Sequence, residues 1–276
     1  MYTQTHARDP IGVFDSGVGG LTVLKELRRA LPHEDFVYFG DTARVPYGEK
    51  SKEAIVRYTQ EAIAFLLQHR VKAIVIACHT ASALGLESVI TTTPVPLFGV
   101  VEPGVAALIS EAPSGRVAVL GTASAIQSDV HRTQILARCP AFSVTTIACP
   151  LFVPIVEEGL AEHPIAVSAA ELYLGGIRDV DAILLACTHY PILRQTIQMA
   201  VGPNVALIEP AKAVAAEVAL SLCDSRCLNS QAGEGTIFYY ASDDIEKFRR
   251  LAFKFLDRPI EHIKKAPLAG RPTTKR

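Results

Sequence analysis

Two stretches of this chain end an aliphatic run in the same Ala-Cys pair, followed by His and Thr in opposite order. They are Val71-Lys72-Ala73-Ile74-Val75-Ile76-Ala77-Cys78-His79-Thr80 and Val180-Asp181-Ala182-Ile183-Leu184-Leu185-Ala186-Cys187-Thr188-His189. A thiolate is a nucleophile, a base and a metal ligand. Two such groups meeting one carbon from opposite faces suit a particular reaction: one removes a proton, the other, as thiol, returns a proton to the far side, and a stereocentre inverts. Both must lie within hydrogen-bond reach of the reacting proton positions. A single cysteine is ordinarily a small buried hydrophobe; the polar Thr and His after each one, and the repetition, speak for chemistry. A cysteine protease calls for one Cys with a His base and an orienting group. A pyridoxal phosphate enzyme calls for a Schiff-base lysine, and none follows these runs. A redox dithiol needs sulfurs close enough to bond; the sequence leaves this open, although neither Cys has a CxxC setting. The other cysteines, Cys139, Cys149, Cys223 and Cys227, form no paired Cys/His cluster, so no metal site is expected.

The elements that must position these thiols also come in two copies. Ile11-Gly12-Val13-Phe14 matches Val117-Ala118-Val119-Leu120, Val45-Pro46 matches Val153-Pro154, and Glu102-Pro103 matches Glu209-Pro210, all at nearly the separation of Cys78 from Cys187. Matches in order at one offset mark two copies of a unit. Short aliphatic runs at 11–14, 36–39, 73–77, 97–101, 117–120, 144–148, 182–186 and 205–208 read as buried parallel strands. Helical periods lie between them: the Leu21, Leu24, Leu27, Leu31 stripe, then 51–69, 103–111, 125–138, 164–177 and 211–222. Alternation of strand and helix predicts an α/β protein with two similar, mostly parallel sheets and a cleft between them. The expected domains are 1–102 plus 211–276, and 103–210. The stretch after about 211 has no counterpart in the repeat and is expected to pack back on the first half. The basic tail from Lys264 reads as a solvated terminus.

In open α/β sheets ligands bind beyond the carboxyl ends of the strands, where Cys78 and Cys187 both fall. The loop Asp15-Ser16-Gly17-Val18-Gly19-Gly20 lies at the same level, after the first run and before a helix. Its glycines allow backbone N–H groups to converge on a carboxylate, and Asp15 is placed to orient or accept a proton near a thiol. His189, beside Cys187, is placed to tune that sulfur. Arg44-Val45-Pro46-Tyr47-Gly48 forms a further turn.

Composition excludes several classes. With 49% hydrophobic and 20% charged residues among 276, the chain is an ordinary globular protein. Lys+Arg of 27 against Asp+Glu of 28 argues against nucleic acid as the main partner. Apolar runs such as Ala73 to Cys78 are far shorter than the roughly 20 residues of a bilayer span, so no membrane partner is expected. Met1 to Pro10 does not read as a signal peptide. A cytoplasmic location is expected. Exposed helix faces leave room for a homodimer.

Asp15-Ser16-Gly17-Val18-Gly19-Gly20-Leu21, Pro46-Tyr47-Gly48, Cys78-His79-Thr80-Ala81-Ser82 and Ala186-Cys187-Thr188-His189-Tyr190-Pro191 together resemble the glutamate racemases of the cofactor-independent aspartate/glutamate racemase superfamily. The resemblance runs from about Ile11 to Pro210. It implies two α/β domains with substrate buried between them, interconversion of L- and D-glutamate without pyridoxal phosphate, other cofactor or metal, and a supply of D-glutamate for peptidoglycan. It implies that Cys78 and Cys187 are the acid/base thiols, with Asp15 assisting Cys78 and His189 assisting Cys187, and that Glu157 is a further acidic residue at the cleft. Ser16, Pro46, Tyr47, Gly48, His79, Thr80, Thr122, Thr188, Asp15 and His189 match substrate-binding positions. The chain departs from the pattern twice: His79 stands where the family usually has Asn, and Ala125 where many members have Thr. Two other readings stay open. One is a racemase of aspartate or a hydantoin; the other is a glutamate-binding regulatory protein whose turnover is impaired by His79.

Overall fold

The computed structural model describes residues 6–256 and 258–266. In the first half, β1 (Ile11–Asp15), α1 (Leu21–Ala30), β2 (Phe36–Gly40), α2 (Lys52–Leu67), β3 (Ala73–Ile76), α3 (His79–Leu84), α4 (Leu86–Ile90) and β4 (Leu97–Gly99) follow in order. Next come α5 (Val101–Ser110), β5 (Arg116–Gly121), α6 (Ala123–Gln127), α7 (Val130–Arg138), β6 (Ser143–Ala148), α8 (Phe152–Glu157), α9 (Pro164–Leu174), β7 (Ala182–Ala186), α10 (Arg194–Val201) and β8 (Ala206–Ile208). The chain ends its described part with α11 (Ala211–Asp224), β9 (Ile237–Ala241), α12 (Ile245–Leu256) and β10 (Ile263–Lys265).

The repeat seen in the sequence is a repeat of topology. One sheet runs β10-β9-β2-β1-β3-β4 and the other β6-β5-β7-β8, so β2-β1-β3-β4 and β6-β5-β7-β8 share one order. The register repeats as well: Ile11 pairs with Ala73 on β3, and Val117, its sequence counterpart, pairs with Ala182 on β7. All the pairings are parallel. Both β3 and β7 are buried along their whole length, which is why they read as unbroken aliphatic runs rather than as alternating ones.

A continuous core joins the halves. Ile11, Leu24 and Leu251 belong to the same buried cluster as Ile183, Leu185 and Val218. The α1 stripe Leu21, Leu24 and Leu27 is buried, and α11 packs against both α1 and α5. The chain crosses from one sheet to the other between β4 and α5 and returns between β8 and α11. The crossings touch, since a Cβ on Gly104 would lie 2.9 Å from the Pro210 ring.

The structure differs from expectation in places. The run 97–101 is a strand only to Gly99: the Val100 N–H bonds to the Ser82 hydroxyl at 3.0 Å and Val101 opens α5. The helical stretch 125–138 is broken at Asp129, which takes φ 56° and separates α6 from α7. Lys264 is not a solvated tail but lies in β10, pairing with Tyr240; charged side chains suit this outer strand. Residues from 267 onward lie outside the described residues. Among the described residues, no helix is long and apolar enough to cross a membrane.

Candidate active site

Each thiol is carried by the end of a central strand. After β3, Cys78 takes extended backbone as the N-cap of α3, and its Sγ lies 3.6 Å from the Ser16 hydroxyl. After β7, Cys187 opens a tight turn that leads to a 3-10 segment, Tyr190–Leu193. Both sulfurs line one cavity with Ser16, Val45, Pro46, Tyr47, Gly48, His79, Thr80, Thr122, Val153, Thr188 and His189. The two thiols come from different sheets.

Two glycines let the halves close this tightly. A Cβ on Gly19 would sit 2.2 Å from the Thr188 hydroxyl and 2.6 Å from His189 Nδ1. A Cβ on Gly48 would sit 2.5 Å from the Thr122 Cβ. Hydrogen bonds tie the same seam: Thr80 and Thr122 hydroxyls are 2.9 Å apart, and the Ser124 hydroxyl donates to the Gly48 and Lys50 carbonyls at 2.8 and 3.0 Å. The cavity holds only about 20 Å³, near the volume that admits one water. A small dicarboxylate is larger than this space.

Asp15 is fully buried and holds its loop together. Its carboxylate accepts the Gly17 N–H at 2.9 Å and the Thr188 hydroxyl at 3.4 Å, linking the first sheet to the Cys187 turn. Burial lifts its carboxyl above the usual range, against His189 and the N–H groups of Gly17 and Gly20. This corrects one expectation: the Gly17 and Gly20 N–H groups face the protein's own carboxylate rather than a ligand's. Burial pushes the Cys78 thiol up to about 11; the Asp15 charge adds to this, while Ala81 and Ser16 hydrogen bonds oppose it. Burial also raises Cys187, against the His189 backbone N–H and with the help of Cys78 and Asp15. Both shifts favour the thiol over the thiolate, so forming a thiolate calls for a nearby acceptor or cation.

Glu157 stands one layer behind the cavity. Its carboxylate lies 3.4 Å from His189 Nε2 and 3.1 Å from Lys247 Nζ. Burial raises it, but His189 and Lys247 together outweigh burial and hold its carboxyl below the usual range. The His189 ring also meets Phe255 edge-on at 5.6 Å. Tyr47 donates to Asp41 at 2.6 Å, which fixes its ring in the wall. Thus Ser16, Pro46, Tyr47, Gly48, Cys78, His79, Thr80, Thr122, Cys187, Thr188 and His189 are gathered at one cavity. Asp15 and Glu157 support it from behind.

Sequence reasoning missed Val45 and Val153 as wall residues. Their signal was present, since they are the repeated Val-Pro pair; one copy is a loop and the other begins in α8. It also missed His131, whose ring stacks on His79 with centroids 6.0 Å apart and 17° between planes. A lone His on an amphipathic helix carries no such signal. All six cysteines are free. Among the described residues, no group of three His, Cys, Asp or Glu side chains is arranged to hold a metal ion.

Comparison with known proteins shows the family of the chain. The Asp/Glu/hydantoin racemase family model matches residues 11–218. The glutamate racemase of Geobacter metallireducens is 45% identical over 248 residues, covering 89% of this chain and 92% of the relative. The crystal structure of Thermus thermophilus glutamate racemase in complex with beta-chloro-D-alanine is 43% identical, with a TM-score of 0.87 over 96% of this chain and 99% of that one. Francisella tularensis glutamate racemase in complex with D-glutamate is 34% identical, with a TM-score of 0.90 over 96% and 100%.

Proposed function

The chain belongs to the Asp/Glu/hydantoin racemase family, and we propose that it interconverts L- and D-glutamate by proton transfer between Cys78 and Cys187, without a cofactor. The observation that carries this reading is the shared cavity: two thiols, supplied by equivalent strand ends of two sheets, line one small space. In one direction the Cys78 thiolate takes the α-proton and the Cys187 thiol gives its proton to the opposite face. In the other direction the roles exchange. Each turnover leaves thiol and thiolate swapped, and proton exchange resets them.

The remaining residues serve the charges this creates. Asp15, with its carboxyl already raised by burial, is the acceptor for the Cys78 proton. His189, braced by Glu157, serves Cys187. The carbanion forms beside a carboxylate, so fixed donors in a water-poor site must hold the charge. The hydroxyls of Ser16, Thr80, Thr122 and Thr188 are the donors in the wall. Pro46, Tyr47 and Gly48 shape the wall beside the seam.

The same proposal assigns residues 1–102 with 211–276 to one domain and 103–210 to the other, closing on the substrate. It places the protein in the cytoplasm, where D-glutamate feeds peptidoglycan synthesis. A homodimer belongs to it too, and sedimentation velocity reads that point directly.

The test is racemisation of each glutamate enantiomer by purified protein with no cofactor added, followed by circular dichroism, with aspartate alongside. Cys78→Ala and Cys187→Ala should each lower racemisation by about 10³-fold or more. Each variant should retain exchange of the α-proton with deuterium for one enantiomer. Two-way racemisation at the unsubstituted rate in either variant defeats the two-thiol mechanism.

A further inference from the structure

The wall that carries both thiols contains no lysine or arginine; its side chains able to become cationic are His79 and His189. Glutamate brings two carboxylates and one ammonium, a net negative charge, and the reaction adds a thiolate. Burying such charge without a counter-charge is costly. His189 already has a carboxylate beside it, 3.4 Å away on Glu157. His79 has none. It is 4% exposed, and neither ring nitrogen has a hydrogen-bond partner. His131, 2% exposed and stacked against it, is in the same condition. A neutral imidazole always carries one donor and one acceptor, and each buried group left unpaired costs about 1–3 kcal/mol. The two unpaired ring nitrogens of His79, in the wall of the cavity, require an explanation, and a partner arriving with the ligand supplies one.

We infer that His79, backed by the ring face of His131, takes up a proton as an acidic amino acid binds and meets one of its carboxylates as an imidazolium. This rests on the proposed substrate. The proton comes from solvent while the cleft is open; an N–H bond forms on the ring as an O–H bond of hydronium or a buffer acid breaks, and no bond of the protein or ligand is broken. Cys78 adjoins His79 on its own helix, His131 faces it from α7, Tyr47 and Thr122 share its wall, and Cys187 and His189 also line the cavity. Burial first, and His131 second, keep His79 well below the ordinary histidine range; burial lowers His131 to about 4. A substrate carboxylate acts in the opposite sense, because a nearby negative charge favours the protonated ring. The flat face of the neutral His131 ring suits a cation stacked on it.

The test is nitrogen-15 NMR of histidine-labelled protein at neutral pH, without and with saturating D-glutamate. The His79 resonances, assigned by their loss in His79→Asn, should pass from the split shifts of a neutral ring to the merged shifts of an imidazolium. In unsubstituted protein KM for D-glutamate should rise with pH, by up to about tenfold per unit between the free-state and the bound-state pKa of His79, and level off above the latter, while kcat does not follow over that range. His79→Asn keeps a neutral donor and should flatten that rise. A neutral His79 in the glutamate-bound protein overturns the inference alone, as does a KM independent of pH in the unsubstituted protein or an unaltered slope in His79→Asn. If glutamate changes neither the spectrum nor the optical rotation, the proposed substrate is wrong and the inference falls with it.

Discussion

The ends of β3 and β7 begin from one plan and are finished differently. Each strand is buried throughout, sits beside the first strand of its sheet in the same register, and delivers a cysteine to the cavity. After Cys78 the chain enters a helix at once, and the adjacent His79 ring has no polar partner. After Cys187 it makes a turn, and His189 is braced by Glu157, Lys247 and Phe255. The strand starts diverge as well. Lys72 is buried, paired with Glu34 and donating to the Ala7 and Cys227 carbonyls. Asp181, its counterpart, bonds to Ser114 at the surface. The duplicated scaffold places the sulfurs alike, and the residues around them, which are not duplicated, distinguish the two sides.

Five substitutions probe that contrast. The largest effect belongs to the strand starts. Lys72→Met leaves the Glu34 carboxylate buried without its partner and should cost about 3–5 kcal/mol, whereas Asp181→Asn should cost far less; urea denaturation compares them. At the seam, Gly19→Ala puts a methyl group against Thr188 and His189 and holds the halves apart. It should lower kcat/KM by about 10²-fold, while Gly176→Ala, where a Cβ meets nothing within 4 Å, should change little. Smallest is Glu157→Gln, which removes the charged brace from His189. A fall in kcat of about tenfold with little change in KM matches the loss of one charged contact behind the His189 ring. Because the Glu157 carboxyl is held low, its stabilising contribution is present at neutral pH and lost only as pH falls through that lowered pKa. The Gln variant should lack that acid-side loss.

The β-strands of the repeat and the thiols at their ends were legible because buried parallel strands write themselves as aliphatic runs with polar residues where they stop. The repeat matched Ile11 with Val117 and Ala73 with Ala182, and these equivalent residues hold the same register in the two sheets. Other features left weaker traces. β9, β10 and α12 extend one sheet alone, so the repeat had nothing to say about them. The break at Asp129 interrupts a helical pattern without Gly or Pro, by one residue in the left-handed region. The depth of Glu157 and the use of the Gly17 and Gly20 N–H groups by Asp15 depend on side-chain direction, which spacing does not encode. His131 reaches His79 only because α6 and α7 fold over the cavity.

The crossings at 99–101 and 208–211 are the chain's two covalent links between the sheets, and beside them Gly104 of α5 packs against Pro210. The domain opening proposed above would turn about that contact. Bulk added at Gly104, where a Cβ would lie 2.9 Å from the Pro210 ring, should then alter the rate of opening without replacing any group of the cavity wall.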